Sequence, residues 1–299
     1  MSLKILVDYV IQRHYPEAAQ ADSPVRAMLD SVVARQASLI AQWQLLGFIH
    51  GVINTDNMLL SGETIDYGPC AFMDGFDPGT VFSSIDQGGR YAYGNQPHIA
   101  HWNLSMFAQA LLPLLHDDQE KARASGQAAI DAFPDLYMAA YKNGMLKKLG
   151  FTKNGSDDAV HIQDLLTLMQ EEKTDFTLTF RRLSDLTDPE KASGGRVGSI
   201  FELPESFAPW LDRWQKRLAS ESLAASERQA GMYAVNPAYI PRNHLVEEAI
   251  DAAVDQQDFG PFHTLVDILA QPFEFNDAQA RYAKPPRPDQ VVRQTFCGT

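Results

Sequence analysis

The chain has 299 residues, 45% of them apolar, and a formal net charge of −13. That is enough to bury a sizeable core, and the charge repels phosphate backbones and acidic membrane surfaces, so neither nucleic acid nor a membrane is an expected partner. No apolar run approaches the ~20 residues that span a bilayer, residues 1–15 show no basic segment followed by an apolar one, and two cysteines, Cys70 and Cys297, make neither a disulfide framework nor a Cys-rich zinc site; a reducing cytoplasmic location is expected.

Most of the chain reads as helix. Leu3 to His14 is a short periodic segment. A second helix is predicted from Ser23 to Leu46, with Pro24 at its first position and Gly47 at its end. Its predicted buried stripe is Val32, Leu39, Trp43 and Leu46, flanked by Val33, Ala37 and Ile40. Residues 48–98 differ in character: Gly, Asp, Asn and Pro dominate, and the short apolar pieces Met58-Leu59-Leu60 and Thr64-Ile65 predict a small hairpin. About 50 residues of irregular chain inside a compact domain point to function. Helical spacing resumes near Ile99, with Trp102, Met106, Ala110 and Leu114 in register. Further helices are predicted over 118–132, 135–149, 161–172, 175–187, 207–222, 245–256 and 259–269. Lys191 to Gly198 reads as a loop, and the proline-rich tail from Tyr282 as extended chain. Strand-forming material is scarce, so the fold class is mainly α.

The chemistry concentrates in His50-Gly51-Val52-Ile53-Asn54-Thr55-Asp56-Asn57 and Thr64-Ile65-Asp66-Tyr67-Gly68-Pro69. The protein-kinase pattern H-R-D-L-x-x-x-N followed by D-F-G aligns with these pieces. His50 takes the place of the histidine, Asn57 that of the metal-binding asparagine, and Asp66-Tyr67-Gly68 that of D-F-G. Val52 stands where the catalytic aspartate belongs. Magnesium prefers hard oxygen ligands, often one or two carboxylates together with substrate phosphates. Asn57 offers an amide oxygen and Asp66 a carboxylate, and a hairpin between them would face both toward one point. Asp56 is the neighbouring carboxylate able to accept a proton from an attacking hydroxyl. Turn chemistry competes with this reading at Asp56, Asn57 and Asp66, because Asp and Asn abound in turns. His50 reads as structural. Asp74 and Asp77 read as a solvated turn rather than a cation site. No G-x-S-x-G, H-E-x-x-H or Walker A pattern occurs.

The block from Trp43 to Trp102 resembles selenoprotein O, the kinase-like protein adenylyltransferases. Gly47-Phe48-Ile49-His50-Gly51-Val52, Asn54-Thr55-Asp56-Asn57-Met58 and Thr64-Ile65-Asp66-Tyr67-Gly68-Pro69 carry the likeness. Gly89-Arg90-Tyr91, Asn95-Gln96-Pro97 and Trp102-Asn103-Leu104 continue it. Asp8-Tyr9-Val10-Ile11, His14-Tyr15-Pro16-Glu17, Asn236-Pro237, Arg242-Asn243 and Arg281-Tyr282-Ala283 extend it over essentially the whole chain. The resemblance implies a kinase-like C-terminal lobe that binds ATP in reversed orientation. It implies transfer of AMP to Ser, Thr or Tyr hydroxyls of proteins, with Mg²⁺ (or Mn²⁺ in its place) as the cofactor. Asp56 would be the proton acceptor and Asn57 and Asp66 the metal ligands, with Asp66 also against the nucleotide phosphates.

The family's N-terminal portion bears a glycine-rich loop, a phosphate-binding Lys with its Glu partner, and phosphate-binding arginines. None of these is recognisable before Leu3. The expected unit, residues 1–299, is therefore a single kinase-like C-lobe with a C-terminal helical extension and without the N-lobe, and weak ATP binding is expected of it. The resemblance also implies a redox-active cysteine near the C-terminus. Cys297 fits that position, but Thr80-Val81-Phe82-Ser83-Ser84, where some members carry the second cysteine, has none, which leaves Cys70 as the sole candidate partner. Two other functions use the same residues: a phosphotransferase of small-molecule-kinase type, and a non-catalytic interaction lobe.

Overall fold

A computed structural model describes residues 2–187 and 197–296. Among these, eleven α-helices surround one two-stranded antiparallel sheet. The chain opens with α1 (Ser2–His14) and the long α2 (Pro24–Leu46). Gly47, at φ +73°, supplies the left-handed residue that ends α2. The strands are β1 (Phe48–Ile49) and β2 (Ala71–Phe72), with Phe48 opposite Phe72 and Ile49 opposite Ala71. Then come α3 (Gln96–Leu115), α4 (Gln119–Ile130), α5 (Phe133–Lys148), α6 (Asp158–Glu171) and α7 (Phe176–Asp185). The last four are α8 (Ala208–Ala219), α9 (Ala225–Tyr233), α10 (Asn243–Gln256) and α11 (Gly260–Leu269).

The mainly α class expected from the sequence is observed, and the predicted helices appear with ends shifted by a few residues. Helix α9 has no counterpart among the predicted elements. The predicted loop 191–198 lies almost wholly outside the described residues. A six-residue 3₁₀ helix, Asp277–Tyr282, leads into the tail, whose described part carries one 3₁₀ turn at Pro288–Gln290.

One core gathers α1–α5, with Met28, Leu29, Val33, Ile40, Ile99, Leu104 and Phe133 buried together. A second joins α5–α9 around Phe176, Phe180, Trp210 and Trp214. Helix α2 reaches both. Of its predicted stripe and flanks, Val32, Val33, Ala37, Ile40 and Trp43 are buried and Leu39 and Leu46 half-buried, while Gln36 and Gln44 are buried as well. These two polar residues are tolerated because Gln36 Nε2 donates to Leu59 O (2.6 Å) and Gln44 Nε2 to Tyr93 O (2.6 Å). Where α2 crosses α5, a Cβ on Gly144 would lie 2.1 Å from Leu45 Cδ1, so only glycine permits that approach. Helix α3 buries a face other than the line of Trp102, Met106, Ala110 and Leu114. Trp102 is 44% exposed and lies under the Arg90 guanidinium (5.0 Å), while Asn103 and Leu104 face inward.

The second half is tied to the sheet by one buried cation. Arg242, just before α10, is fully buried and pairs with Asp175 (2.6 Å) at the start of α7 and with Asp74 (2.7 Å) just after β2. It also donates to Ala283 O (2.8 Å), and its neighbour Asn243 donates to Phe72 O (3.0 Å). Asp74 is thus an ion-pair partner, not the solvated turn residue expected. Its exposed neighbour Asp77 does cap a turn, accepting from Gly79 N (2.8 Å).

Candidate active site

The loop after β1 is shaped by a buried histidine. The His50 ring lies against Trp43 (5.1 Å between centroids) and edge-on to Phe48 (6.3 Å). Its Nε2 bonds the Ile65 carbonyl at 2.7 Å, and Val52 N–H meets Nδ1 at 3.3 Å. A carbonyl only accepts, so the ring is the neutral Nε2–H form, with Nδ1 accepting. Burial depresses the imidazole's proton affinity, against the opposing pull of the Ile65 bond and the Asp66 charge. The histidine therefore joins the two halves of the motif mechanically, in agreement with its structural reading.

Gly51 follows at φ +82°, and a Cβ there would meet Pro69 O at 2.8 Å. This is a position for glycine alone, and it lets the catalytic loop lie against the segment after Asp66-Tyr67-Gly68. The 3₁₀ turn Thr55–Asn57 then presents Asp56 exposed. Asn57 turns inward: its Nδ2 donates to Val52 O (2.9 Å) and to Asp66 Oδ2 (2.8 Å). Asp66 sits in the left-handed region at φ +58°, a conformation that Asp tolerates better than most residues. Its Oδ1 receives Gly68 N–H at 3.3 Å, a loose contact. The three sequence-predicted residues thus share one turn system, with Asn57 and Asp66 in direct contact.

The predicted hairpin between them does not form. Met58 and Leu60 pack on the α1–α5 core instead. Their segment's carbonyls are taken by helix side chains: Leu59 O by Gln36, Leu60 O by the Tyr15 hydroxyl and Ser61 O by Arg35. A backbone already satisfied from the side has no need of a cross-strand ladder. The β pairing lies further out, at Phe48–Ile49 and Ala71–Phe72, and so brackets the site.

Several residues that hold this frame were not singled out for chemistry in the sequence. Gln96, fully buried, accepts from His50 N (2.9 Å) and donates to Phe48 O (3.0 Å). Asn103 donates to Ile53 O (3.0 Å), and the Tyr91 hydroxyl bonds Asn54 Oδ1. The available signal was a polar residue inside an apolar helical stretch, within the very pieces that carried the family likeness.

The donor set suits magnesium. With both Asn57 N–H groups committed, its amide oxygen remains, beside the Asp66 carboxylate. No group of three His, Cys, Asp or Glu side chains able to hold a metal occurs among the described residues. A cation here would draw two protein oxygens and complete its shell from water and phosphate. No Lys or Arg pairs with Asp56, Asn57 or Asp66 among the described residues. Cys70 is half-buried and free, its thiol pushed up to about 11 by burial and by the Asp66 charge, so it is held protonated and unreactive. The other cysteine, Cys297, lies outside the described residues. Nearby, Thr295 pairs with the chain at Phe82 and Ser84, and its hydroxyl donates to Pro69 O.

Comparison with known proteins places the chain in a family. The sequence model of the family described as "Protein adenylyltransferase SelO" matches residues 1–270. A protein named "Protein nucleotidyltransferase YdiU" from Rhodopseudomonas palustris (strain BisB5) is 54% identical over all 299 residues, which cover 60% of its own length. Proteins of the same name from Bradyrhizobium diazoefficiens and Methylorubrum extorquens are 53% and 51% identical, over 100% and 99% of this chain and 60% and 61% of their own. The chain therefore spans about three fifths of the length of these relatives. No described helix is long and apolar enough to cross a membrane.

Proposed function

Because the chain belongs to the SelO family of protein adenylyltransferases, we propose that it carries the metal-binding and proton-accepting half of an AMP-transfer site, on a kinase-like C-terminal lobe. The observation that carries the proposal is the 2.8 Å hydrogen bond joining Asn57 to Asp66 beside an exposed Asp56. A hydroxyl oxygen of a protein Ser, Thr or Tyr attacks the α-phosphorus of ATP. The bond from that phosphorus to the bridging oxygen breaks, and pyrophosphate leaves. The Asp56 carboxylate takes the hydroxyl proton, the task that Val52 cannot perform. Asn57 and Asp66 would hold Mg²⁺, which neutralises phosphate charge as the leaving group departs. His50, Gln96 and Asn103 keep the two carboxylates and the amide in register.

The test is incubation with ATP labelled at the α-phosphate, followed by mass analysis of the modified protein. It is run on this chain and on the longer Rhodopseudomonas relative, with matching substitutions. AMP addition is expected, and Asp66→Asn should cut it at least a hundredfold while leaving the melting temperature nearly unchanged. Asp56→Ala should lower turnover more than ATP affinity. Phosphate addition in place of AMP would favour the phosphotransferase reading, and transfer that survives Asp66→Asn would remove the metal assignment. With no Lys or Arg paired to the site among the described residues, ATP binds this 299-residue chain weakly in calorimetry; micromolar affinity would contradict that.

A further inference from the structure

The stretch 48–115 holds the candidate site and a single strong base. Arg90 is its sole Lys or Arg, against the carboxylates of Asp56, Glu63, Asp66, Asp74, Asp77 and Asp86. Among the described residues the guanidinium nevertheless pairs with no carboxylate. It stands exposed over the rings of Trp102 (5.0 Å) and Tyr91 (5.7 Å).

The residue is held in place by its backbone. Asp86 accepts from the N–H groups of Arg90 (2.9 Å) and Tyr91 (2.8 Å), and the Arg90 carbonyl accepts from Asn95 Nδ2 (2.7 Å). The nearest acid in the sequence is therefore spent on the main chain and leaves the guanidinium donors unused. Both rings beneath it are tied to the start of the catalytic turn. The Tyr91 hydroxyl bonds Asn54 Oδ1, and Asn103, next to Trp102, donates to Ile53 O (3.0 Å). A guanidinium fixed on an aromatic face with free N–H donors is a receptor for a planar anion.

Two features choose the anion. The ties run to Ile53 and Asn54, ahead of Asp56, whereas the pair suited to a metal and its phosphates, Asn57 and Asp66, follows it. The surrounding carboxylates also repel an acidic segment of an incoming protein, and in this stretch Arg90 alone can offset that repulsion. We propose that Arg90, on its Trp102–Tyr91 platform, selects target proteins by binding a carboxylate close in sequence to the hydroxyl that Asp56 deprotonates. The identity of the partner rests on the AMP-transfer reading; the sign of its charge rests on the Arg90 geometry alone.

The probes are two synthetic peptides of Ala and Gly around one Ser, flanked by Glu in the first and by Lys in the second. Trp102 is 44% exposed while Trp43, Trp210 and Trp214 are buried, so tryptophan emission reports this place, and Trp102→Phe should erase the signal. Titrated into the 299-residue chain, the Glu peptide should bind about fivefold tighter than the Lys peptide, the range of an exposed ion pair. Arg90→Glu should reverse that order, which loss of a merely structural residue would not do. Arg90 is exposed and unpaired, so the variant should keep the parent's melting temperature. Offered with ATP labelled at the α-phosphate to the longer Rhodopseudomonas relative and its matching variant, the peptides should show the same reversal in kcat/KM. Equal binding of the two peptides, or a preference that survives Arg90→Glu, would overturn the proposal. So would ATP that alters Trp102 emission, competes with the Glu peptide and is released by Arg90→Glu, since Arg90 would then hold a phosphate. Charge reversal in binding without AMP on either peptide would uphold Arg90 as the anion receptor and count against the transfer chemistry instead.

Discussion

At the scale of single residues, two positions set the shape of the candidate site. Gly51 must be glycine for two independent reasons, its φ of +82° and the 2.8 Å approach of a Cβ to Pro69 O. Gly51→Ala should cost on the order of 2 kcal/mol in chemical denaturation, more than the ~1 kcal/mol of an ordinary glycine replacement, because backbone faces the new methyl. His50 is held neutral by burial. Its folded proton affinity lies below that of the unfolded chain, so the unfolded state binds the extra proton first, and stability falls as pH drops below the ordinary imidazole value of about 6.5. Protonation would also place a new Nδ1–H against the Val52 N–H. Melting curves should therefore show a loss between pH 7 and 5 that shrinks in His50→Gln; an unchanged pH dependence in that variant would remove His50 as its source.

Elements are held by contacts that local pattern does not display. Arg242 is the clearest instance, a buried cation shared by Asp74, Asp175 and the Ala283 carbonyl. Arg242→Met should destabilise by about 3–5 kcal/mol, since it strands two carboxylates. The variant should also loosen β2, seen as faster amide exchange near Phe72. Lys148, at the end of α5, is a different case. It is buried over the ring of Phe180 (4.2 Å), and desolvation lowers its amine to about 7. The unfolded amine keeps its proton to far higher pH, so this residue makes stability rise with pH from about 7 upward. Every tenfold loss of proton affinity on folding costs about 1.4 kcal/mol, partly offset by the aromatic face, so Lys148→Met should stabilise by a few kcal/mol at pH 7. The variant's stability should also vary less between pH 7 and 9.

The same elements show what the sequence made legible. Helix periodicity gave nearly every helix, because each buries one face. It gave the wrong face for α3, where Trp102 is supported by Arg90 rather than by the core. It gave no α9, whose residues Ala225–Tyr233 are mostly polar and include Arg228 and Gln229, both buried. The motif order found Asn57 and Asp66, yet the predicted hairpin failed because Gln36, Tyr15 and Arg35 claim that segment's carbonyls. Those donors lie 23 to 45 residues away, a separation that no local pattern records.

For the molecule as a whole, charge and connectivity matter most. The excess of 38 acidic over 25 basic residues gives the chain a formal net charge of −13. The two cores adjoin at α2 and α5, and the Arg242 ties bring the C-terminal helices onto β2. A single cooperative thermal transition is expected in calorimetry.

The reach of those ties has a consequence for how the protein is made. Arg242 meets Asp74 across 168 positions, and Asn243 meets Phe72 across 171. At ~5–20 residues per second, the ribosome delivers β2 roughly ten to thirty seconds before it delivers Arg242. Through that interval the newborn strand beside Asp66 has no cation to complete it. Asp74 and the Phe72 carbonyl stay hydrated until Arg242 and Asn243 arrive, so a segment translated much later finishes the support of the first site read in the sequence.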